Sequence, residues 1–284
     1  MPKWLLVLAR MIEQAGLFAA PQEFAFPMIT KPSLTIAEPA PFDAAASAEQ
    51  SLSSAAAFSA VFDHTLLKPD ATRVQVIRLC NEAAEHRFAC AMVNPAWVAC
   101  AVETLARTGI PVGVVIGFPL GASLAATKLD EAARALKLGA RDLDMVLNIG
   151  LLKSAAKQDY DAVKNEIRSV VELAHAEGAS VKVILETCLL TFEEKLRASD
   201  LALAAGANFL KTSTGFSTGG ATVDDIALLR GVVGTRAGVK ASGGIRTLAD
   251  ACAMLEAGAT RIGASASVKI LAEFTAHTQS SSES

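Results

Sequence analysis

Short apolar runs alternate with longer amphipathic stretches along most of this 284-residue chain. Eight of these runs have the length and composition of buried strands. They are Val61–Leu66, Ala89–Val93, Val112–Gly117, Asp142–Leu147, Val181–Glu186, Asn208–Lys211, Gly238–Ala241 and Arg261–Gly263. The clearest helix between them covers Tyr160–Glu177, where apolar residues recur on one face before Gly178 ends it. A second helix is predicted from about Leu129 to Leu138.

Strands that alternate with helices pair in parallel, because each crossover helix returns the chain to the same edge of the sheet. About eight such units in roughly 220 residues predict an α/β fold, a closed (β/α)8 TIM barrel. A doubly wound open sheet is the alternative. The absence of a GxGxxG motif after the first strand argues against it.

The first 57 residues differ in composition from the rest of the chain. They are rich in Ala, Ser and Pro without a sustained period, and Ala44–Ala57 has the character of a low-complexity linker with room for nascent helix. We therefore predict a poorly ordered N-terminal extension over residues 1–57, a (β/α)8 domain over 58–275 and a disordered tail over 276–284. The apolar segment Trp4–Ala9 is short and lacks a small-residue cleavage site, which favours a dispensable tail over a secretory signal or organellar presequence.

Composition excludes several classes of function. A net charge of -3 does not favour a nucleic-acid partner, and no apolar run reaches the ~18 residues that span a bilayer. Five cysteines without CxxC spacing indicate small buried hydrophobes rather than disulfides or zinc ligands. The four histidines also lack metal-ligand spacing. We expect a cytoplasmic protein with no metal, no cofactor, no nucleic-acid partner and no membrane association.

Lys211 is the strongest candidate for catalysis. Function in a barrel collects at the carboxyl ends of the strands, and Lys211 ends a predicted strand just before a loop. Burial there disfavours the charged form and lowers the pKa from about 10.4. The neutral amine could then attack a carbonyl carbon. A salt-bridged structural lysine is the alternative interpretation.

Lys240 occupies the same place on the next strand. Because neighbouring strands lie ~4.8 Å apart, the two lysines could approach closely. A second cation disfavours protonation of Lys211, which activates it as a nucleophile. Alternatively, Lys240 binds phosphate or pairs with Glu186.

Asp144 is the candidate acid. It shares one strand face with Asp142 and lies deeper in the apolar run, so we expect it to point inward and move protons during imine and enamine chemistry. It could equally be a structural counter-ion of Lys182, and both roles can hold together. Asp142 is expected to cap the strand or face solvent.

Glycines lie at the ends of the last three strands, and barrels often hold a phosphate after strands seven and eight with loop amides and a short helix N-terminus. Glycines also serve tight turns, so each one alone is weak evidence. The candidate phosphate contacts are Gly215, Gly243, Gly244, Gly263 and Ser265.

Eight collinear segments between about Val61 and Leu271 resemble the deoxyribose-phosphate aldolase family. They are DHTLLKPDAT from Asp63, VNP from Val93, VIGFPLGA from Val115, DLDMVLNIG from Asp142, VKVILET from Val181, FLKTSTGFSTGGAT from Phe209, VKASGGIRT from Val239 and RIGAS from Arg261.

The resemblance implies a class I, metal-free aldehyde-lyase on a TIM barrel. Its substrate would be a phosphosugar, 2-deoxy-D-ribose 5-phosphate, cleaved reversibly to acetaldehyde and D-glyceraldehyde 3-phosphate. It assigns imine formation to Lys211, perturbation of that lysine to Lys240 and proton relay to Asp144. Self-association into a dimer or tetramer is expected. The positions that match residues lining or supporting the site are Asp63, Thr65, Lys182, Gly215, Gly243, Gly244, Gly263 and Ser265.

Three positions depart from some members of the family. Ala266 stands where a second serine can contact phosphate, Met92 stands where a cysteine can trap aldehydes, and the only tyrosine is Tyr160 rather than a terminal residue. Two alternatives remain at this point: a lysine aldolase for another phosphorylated aldehyde or ketone, and an inactive barrel that senses or scaffolds.

Overall fold

A computed structural model describes residues 41–282, with side chains described as far as Gln279. Eight parallel strands form a closed barrel in sequence order, which confirms the predicted TIM barrel and excludes the open sheet. The strands are β1 (Phe62–Leu66), β2 (Cys90–Val93), β3 (Val112–Ile116), β4 (Asp142–Val146), β5 (Ser180–Ile184), β6 (Phe209–Lys211), β7 (Gly238–Ser242) and β8 (Arg261–Ala264).

Helices surround the barrel and connect its strands. They are α1 (Ala44–Ser51), α2 (Ala55–Ser59), α3 (Arg73–His86), α4 (Val98–Leu105), α5 (Ala125–Lys137), α6 (Ile149–Ser154), α7 (Lys157–Ala176), α8 (Phe192–Ala204), α9 (Val223–Val233), α10 (Leu248–Glu256) and α11 (Ser267–Ser282). Short 3-10 turns cover Pro95–Trp97 and Thr187–Leu189. No helix in this part of the chain is long and apolar enough to cross a bilayer.

The helix predicted over Tyr160–Glu177 is α7, which begins one turn earlier, at Lys157. Val163, Ile167 and Val170 are buried on its inner face, and α7 packs against β5. Here the 3.6-residue period gave the correct face because the burial of one apolar stripe stabilises the helix. The helix predicted from Leu129 is α5, and it also starts earlier, at Ala125.

The N-terminal extension is helical where the structure describes it, so the predicted poor order is wrong for α1. Asp43 caps this helix by accepting a hydrogen bond from the Ala46 amide at 3.0 Å, and its alanines have the highest helix propensity. α1 packs against α10, and α2 against α11. Phe58 of α2 is fully buried. Residues 1–40, with the predicted tail or targeting role, lie outside the described residues.

The predicted disordered tail also needs correction, because α11 continues to Ser282. The last two residues, 283–284, lie outside the described residues. The expectation that all cysteines are buried holds for Cys80, Cys90 and Cys100, whereas Cys252 is partly exposed and Cys188 is exposed.

The inside of the barrel has an apolar side and a charged side. On the apolar side, Cys90 and Met92 of β2 pack with Val115 of β3, beneath Leu67 and Phe118. The charged side is formed by β1 and by β4 to β8, whose inward residues include several lysines and aspartates. This division places the ionisable groups beside an apolar wall, and their burial limits how far solvent can screen them.

Candidate active site

Seven ionisable side chains form one connected cluster inside the barrel, which we call the charged cluster. Each strand from β4 to β8, together with β1, contributes at least one member, because alternate strand residues point inward. Six members are buried, and the side chain of Arg261 is 22% exposed. The members are Asp63, Asp142, Asp144, Lys182, Lys211, Lys240 and Arg261.

Asp144 lies at the centre of the charged cluster. One of its oxygens, Oδ2, accepts hydrogen bonds from Lys211 Nζ and from Lys240 Nζ, both at 2.7 Å. The two lysines face each other in the strand register, Lys211 opposite Lys240, as the sequence predicted. The alternative pairing of Lys240 with Glu186 is wrong.

Glu186 instead holds the loop that follows Lys211. Its carboxylate accepts hydrogen bonds from the Thr214 amide at 3.3 Å and from the Thr214 hydroxyl. Glu186 has a positive φ of 55°, which turns its side chain away from the lysines and toward the β6 loop. Its role in the structure is therefore to fix the loop after Lys211.

Asp63 of β1 is the second carboxylate shared between cations. It contacts Lys240 Nζ, accepts a hydrogen bond from Arg261 Nη1 at 2.9 Å, and lies 3.5 Å from Lys182 Nζ. Its fully buried position matches the supporting role that the family resemblance implied.

Asp142 is the first residue of β4 and is buried, so the expectation that it could face solvent is wrong. It contacts Lys182 Nζ and accepts a hydrogen bond from the Ser180 hydroxyl at 2.7 Å. Lys182 also lies 3.4 Å from Asp144. Lys182 is thus a counter-ion of Asp144, as predicted, but its nearest partner is Asp142.

Burial lowers the pKa of Lys211 to about 8. The carboxylate of Asp144 opposes this shift, while the ammonium groups of Lys240 and Lys182 add to it. A lysine with such a pKa is neutral in a substantial fraction of molecules near pH 8, which is the state that a nucleophile requires.

The other lysines of the cluster behave oppositely. Burial alone would lower the pKa of Lys240, but the carboxylates of Asp144 and Asp63 outweigh it and raise the pKa. The pKa of Lys182 is also raised, because the carboxylates around it outweigh its burial. The pKa of Asp144 lies well below its usual range, since the three lysines outweigh the effect of burial. Lys211 is therefore the lysine of this cluster that loses its proton first.

Asp63, Cys90 and Asp142 place potential metal-ligand atoms within 4.8 Å of one another. The ammonium group of Lys182 already contacts Asp142 and lies 3.5 Å from Asp63. Burial raises the pKa of the Cys90 thiol well above its usual range, which disfavours the thiolate that a metal would bind. This donor set fits an ammonium partner, and the absence of a metal stays a prediction.

A cavity of about 390 Å³ opens above the charged cluster at the carboxyl ends of the strands. All six remaining predicted contacts line it: Thr65, Gly215, Gly243, Gly244, Gly263 and Ser265. Lys211 also lines it, whereas Lys182 and Lys240 have no exposed surface. The predicted site residues thus form a buried layer of charges beneath an open, glycine-rich layer.

Backbone conformation or close packing explains several of these glycines. Gly243 and Gly244 have φ values of +83° and +84°, which disfavour residues with a side chain. A Cβ at Gly220 would lie 2.3 Å from the Gly243 carbonyl oxygen. A Cβ at Gly263 would lie 2.9 Å from Lys240 Cε, so the missing side chain leaves the space that Lys240 fills.

Sequence reasoning missed two cations of the site. Arg261 lies two residues before Gly263 and therefore shares its inward face, so strand alternation could have identified it. Lys68 follows β1 and lines the cavity beside Arg246. No periodic pattern marks a loop lysine of this kind.

The structure shows where two of the residues that depart from the family pattern lie. Met92 is fully buried on the apolar side of the barrel. Tyr160 lies on the outer helix α7, where its ring packs 5.2 Å from the Arg197 guanidinium. It belongs to neither the charged cluster nor the cavity wall.

Comparison with known proteins gives consistent results. The family profile described as DeoC/LacD family aldolase matches residues 58–273. Deoxyribose-phosphate aldolase of Thermoanaerobacter sp. (strain X514) is 56% identical over 215 residues, which cover 75% of this chain and 95% of that protein. The corresponding protein of Thermococcus gammatolerans is 56% identical over 211 residues, 74% of this chain and 92% of the relative.

A solved structure agrees with these sequence relatives. The tetrameric deoxyribose phosphate aldolase from Aeropyrum pernix superposes with a TM-score of 0.76 at 36% identity, covering 83% of this chain and 98% of that one. The profile match and the identities extend over the whole barrel and all of the predicted site. The chain belongs to the DeoC/LacD family of aldolases.

Proposed function

We propose that this aldolase cleaves 2-deoxy-D-ribose 5-phosphate reversibly to acetaldehyde and D-glyceraldehyde 3-phosphate through an imine on Lys211. The observation that carries the proposal is the position of Lys211. Among residues 41–279, it alone belongs to both the charged cluster and the cavity wall. A nucleophilic amine must reach the substrate and must also be held unprotonated, and this position satisfies both requirements.

The first step is attack of neutral Lys211 Nζ on C1 of the open-chain substrate. The carbinolamine that results loses its oxygen as water, and the nitrogen becomes a protonated imine. The raised pKa of Lys240 keeps it protonated, and it is hydrogen-bonded to the same Asp144 oxygen as Lys211, so we assign to it the proton that leaves with the carbinolamine oxygen. The iminium then acts as the electron sink.

The bond that breaks is C2–C3, since only this cleavage separates a two-carbon from a three-carbon aldehyde. The C3 hydroxyl gives up its proton as the C2–C3 electrons move toward the iminium nitrogen, leaving an enamine. Asp144, directly or through water, is the base that we assign to this proton. The enamine is protonated at C2, and hydrolysis releases acetaldehyde and regenerates Lys211.

The substrate phosphate is assigned to the glycine-rich part of the cavity, after β6, β7 and β8. Loop amides near Gly243 and Gly244 suit an anion, and Lys68 and Arg246 bring positive charge to the same cavity. Binding of the phosphate away from the C2–C3 bond positions the reacting carbons over Lys211 and lowers the entropy cost of reaching the transition state.

The test is acetaldehyde release from deoxyribose 5-phosphate in the presence of a chelator, which examines substrate, reaction and metal independence together. Borohydride reduction during turnover should leave a covalent adduct on Lys211, found by peptide mass spectrometry. Full activity of a Lys211→Ala variant would contradict the proposal. Faster turnover of another sugar phosphate would show that the proposed substrate is wrong but would not contradict the proposed imine mechanism.

The same proposal includes assembly and location. We expect a dimer or tetramer, which the tetrameric Aeropyrum pernix relative supports, and light scattering after size-exclusion chromatography measures it. We also expect the enzyme to act in the cytoplasm, since a phosphorylated sugar does not cross a bilayer and stays where it is made. Cell fractionation tests this expectation.

A further inference from the structure

The charged cluster contains four cations and three carboxylates. With all seven groups ionised, the cluster carries a net charge of +1, and it is neutral when one lysine gives up its proton. A net charge in a buried site is costly, because little water is present to screen it. The composition of the cluster therefore favours one neutral lysine.

The contacts decide which lysine that is. Lys182 lies within 4.0 Å of three carboxylates, and Lys240 lies within hydrogen-bonding distance of two. Lys211 has one carboxylate partner, Asp144, which it shares with Lys240. Lys211 is thus the cation with the least compensation.

Two members of the cluster, Asp142 and Arg261, lie at its outer edge, and neither has a direct contact with Lys211 among the described ion pairs. Asp142 is the nearest partner of Lys182 and is held by the Ser180 hydroxyl. Arg261 occupies the second oxygen of Asp63. Lys182 and Arg261 both lie 5.5 Å from the centre of the Phe209 ring, which fills the space between them.

We propose that Asp142 and Arg261 are positioning residues that control the charge on Lys211 by deciding how Asp144 and Asp63 are shared among the three lysines. The inference rests on the proposed role of Lys211 as the imine-forming lysine. Nothing in the family match or the relatives' names assigns these two residues a part in the reaction.

Each residue acts through one intermediary. Asp142 draws Lys182 away from Asp144, which leaves Asp144 free to accept from Lys211. Loss of Asp142 would turn Lys182 toward Asp144, weaken the hydrogen bond to Lys211 and favour neutral Lys211. Arg261 has the opposite effect, since it neutralises part of the charge of Asp63. Loss of Arg261 would let Asp63 hold Lys240 more strongly, release Asp144 for Lys211 and favour protonated Lys211.

The direct Coulomb effect of each substitution on the pKa of Lys211 has the same sign as this indirect effect. Removing the negative charge of Asp142 makes the surroundings of Lys211 more positive, and removing the positive charge of Arg261 makes them more negative. The other charged groups that face Lys211 are Asp144 from β4, Lys182 from β5, Lys240 from β7 and Asp63 from β1. Glu186, beyond the end of β5, is bound to Thr214.

The experiment compares Asp142→Asn and Arg261→Gln with the wild type. The first readout is the pH profile of kcat/KM for cleavage of deoxyribose 5-phosphate. The second is the pH dependence of the rate at which acetaldehyde and cyanoborohydride label Lys211. At an effective dielectric constant of about 20, loss of one charge on the order of 10 Å away shifts a pKa by about one unit. The acid limb should move down by about one pH unit in Asp142→Asn and up by about one unit in Arg261→Gln.

Two matched controls separate charge from structure. Ser180→Ala removes the hydrogen bond to Asp142 without changing charge, and Arg261→Lys keeps the positive charge. In both control variants the acid limb of the kcat/KM profile should stay within about 0.3 pH unit of its wild-type position. If Asp142→Asn does not fold, the signed shift of Arg261→Gln, whose side chain is partly exposed, still decides the question.

The outcomes are distinguishable. If Lys211 of the wild type is labelled but the acid limbs of the two variants move in the same direction or do not move, the inference is overturned and the proposed function stays intact. A wild type that forms no adduct on Lys211 would overturn the proposed function itself. The inference is supported if the acid limbs of Asp142→Asn and Arg261→Gln move in opposite directions while those of the two control variants stay in place. A purely structural defect gives no reason for the two pKa shifts to have opposite signs.

Discussion

The protein buries lysines in two different ways, inside the barrel and between its outer helices. In the helix layer, Lys128 of α5 contacts Glu166 of α7 and donates a hydrogen bond to the Val146 carbonyl at 2.9 Å. Both side chains are almost fully buried, and the pair has one cation and one carboxylate. In the charged cluster, carboxylates are shared and Lys211 is left with the weakest compensation. The comparison indicates that a closed pair gives its lysine a carboxylate of its own, whereas the shared cluster leaves Lys211 to share Asp144 with Lys240.

The largest expected effect comes from breaking the cluster at Lys211. We predict that Lys211→Met lowers kcat/KM by at least about 10⁴-fold, because no other described lysine belongs to both the cluster and the cavity. The free energy of unfolding should stay within about 1 kcal/mol of the wild type, since the cation removed is the least compensated one and Asp144 keeps Lys240 and Lys182 as partners. Steady-state assays and urea unfolding measure the two quantities. A large loss of stability would contradict the comparison.

The helix-layer pair should respond in the opposite way. We predict that Lys128→Met destabilises the fold by about 3–5 kcal/mol, because it leaves Glu166 buried without a cation. The double variant Lys128→Met/Glu166→Leu should recover most of that loss. At a temperature where the variants stay folded, turnover should lie within about threefold of the wild type. Equilibrium unfolding with an activity assay at the same temperature measures both, and a tenfold loss of turnover in folded Lys128→Met would show that the pair also supports the site.

The pH profile sharpens the contrast further. Attack requires neutral Lys211, whose pKa is lowered to about 8. Below that pH the neutral fraction falls tenfold per unit, so kcat/KM should rise with a slope of about one up to pH ~8 and then level off. A profile that is flat between pH 6 and 8 would indicate that another group provides the nucleophile.

The smallest effect is expected at Arg230, a buried cation that belongs to neither the charged cluster nor the Lys128–Glu166 pair. Arg230 of α9 is 7% exposed and donates hydrogen bonds to the carbonyls of Gly258, Gly234 and Ala237. Its guanidinium lies 3.8 Å from the centre of the Phe42 ring, and burial lowers its pKa to about 10. We predict that Phe42→Leu reduces stability by about 1 kcal/mol through loss of the cation–π contact. The pH profile of kcat/KM should not change, and thermal unfolding with that profile tests both statements.

The fold was largely predictable because short apolar runs and amphipathic helices have different periods. The neighbouring positions of Lys211 and Lys240 were also predictable, since both lie toward the carboxyl ends of adjacent strands in a parallel barrel. Asp142 was not, because strand alternation groups Asp142 with Asp144 but does not say how deep the inward face is buried. The Lys128–Glu166 pair joins residues 38 positions apart on two helices, and no sequence period connects them. The sequence allowed nascent helix at α1 but did not predict that it is ordered, because an Ala- and Ser-rich composition is shared by linkers and helices.

The space beside Lys240 has a consequence for transplanting this chemistry into other barrels. Gly263 on β8 has no side chain where Lys240 Cε would otherwise meet a Cβ at 2.9 Å. A designer who grafts only the two lysines and their aspartate onto a new scaffold would find the second lysine pushed out of line by its neighbouring strand. A graft onto a new scaffold must therefore include the glycine beside Lys240 as well as the charged residues.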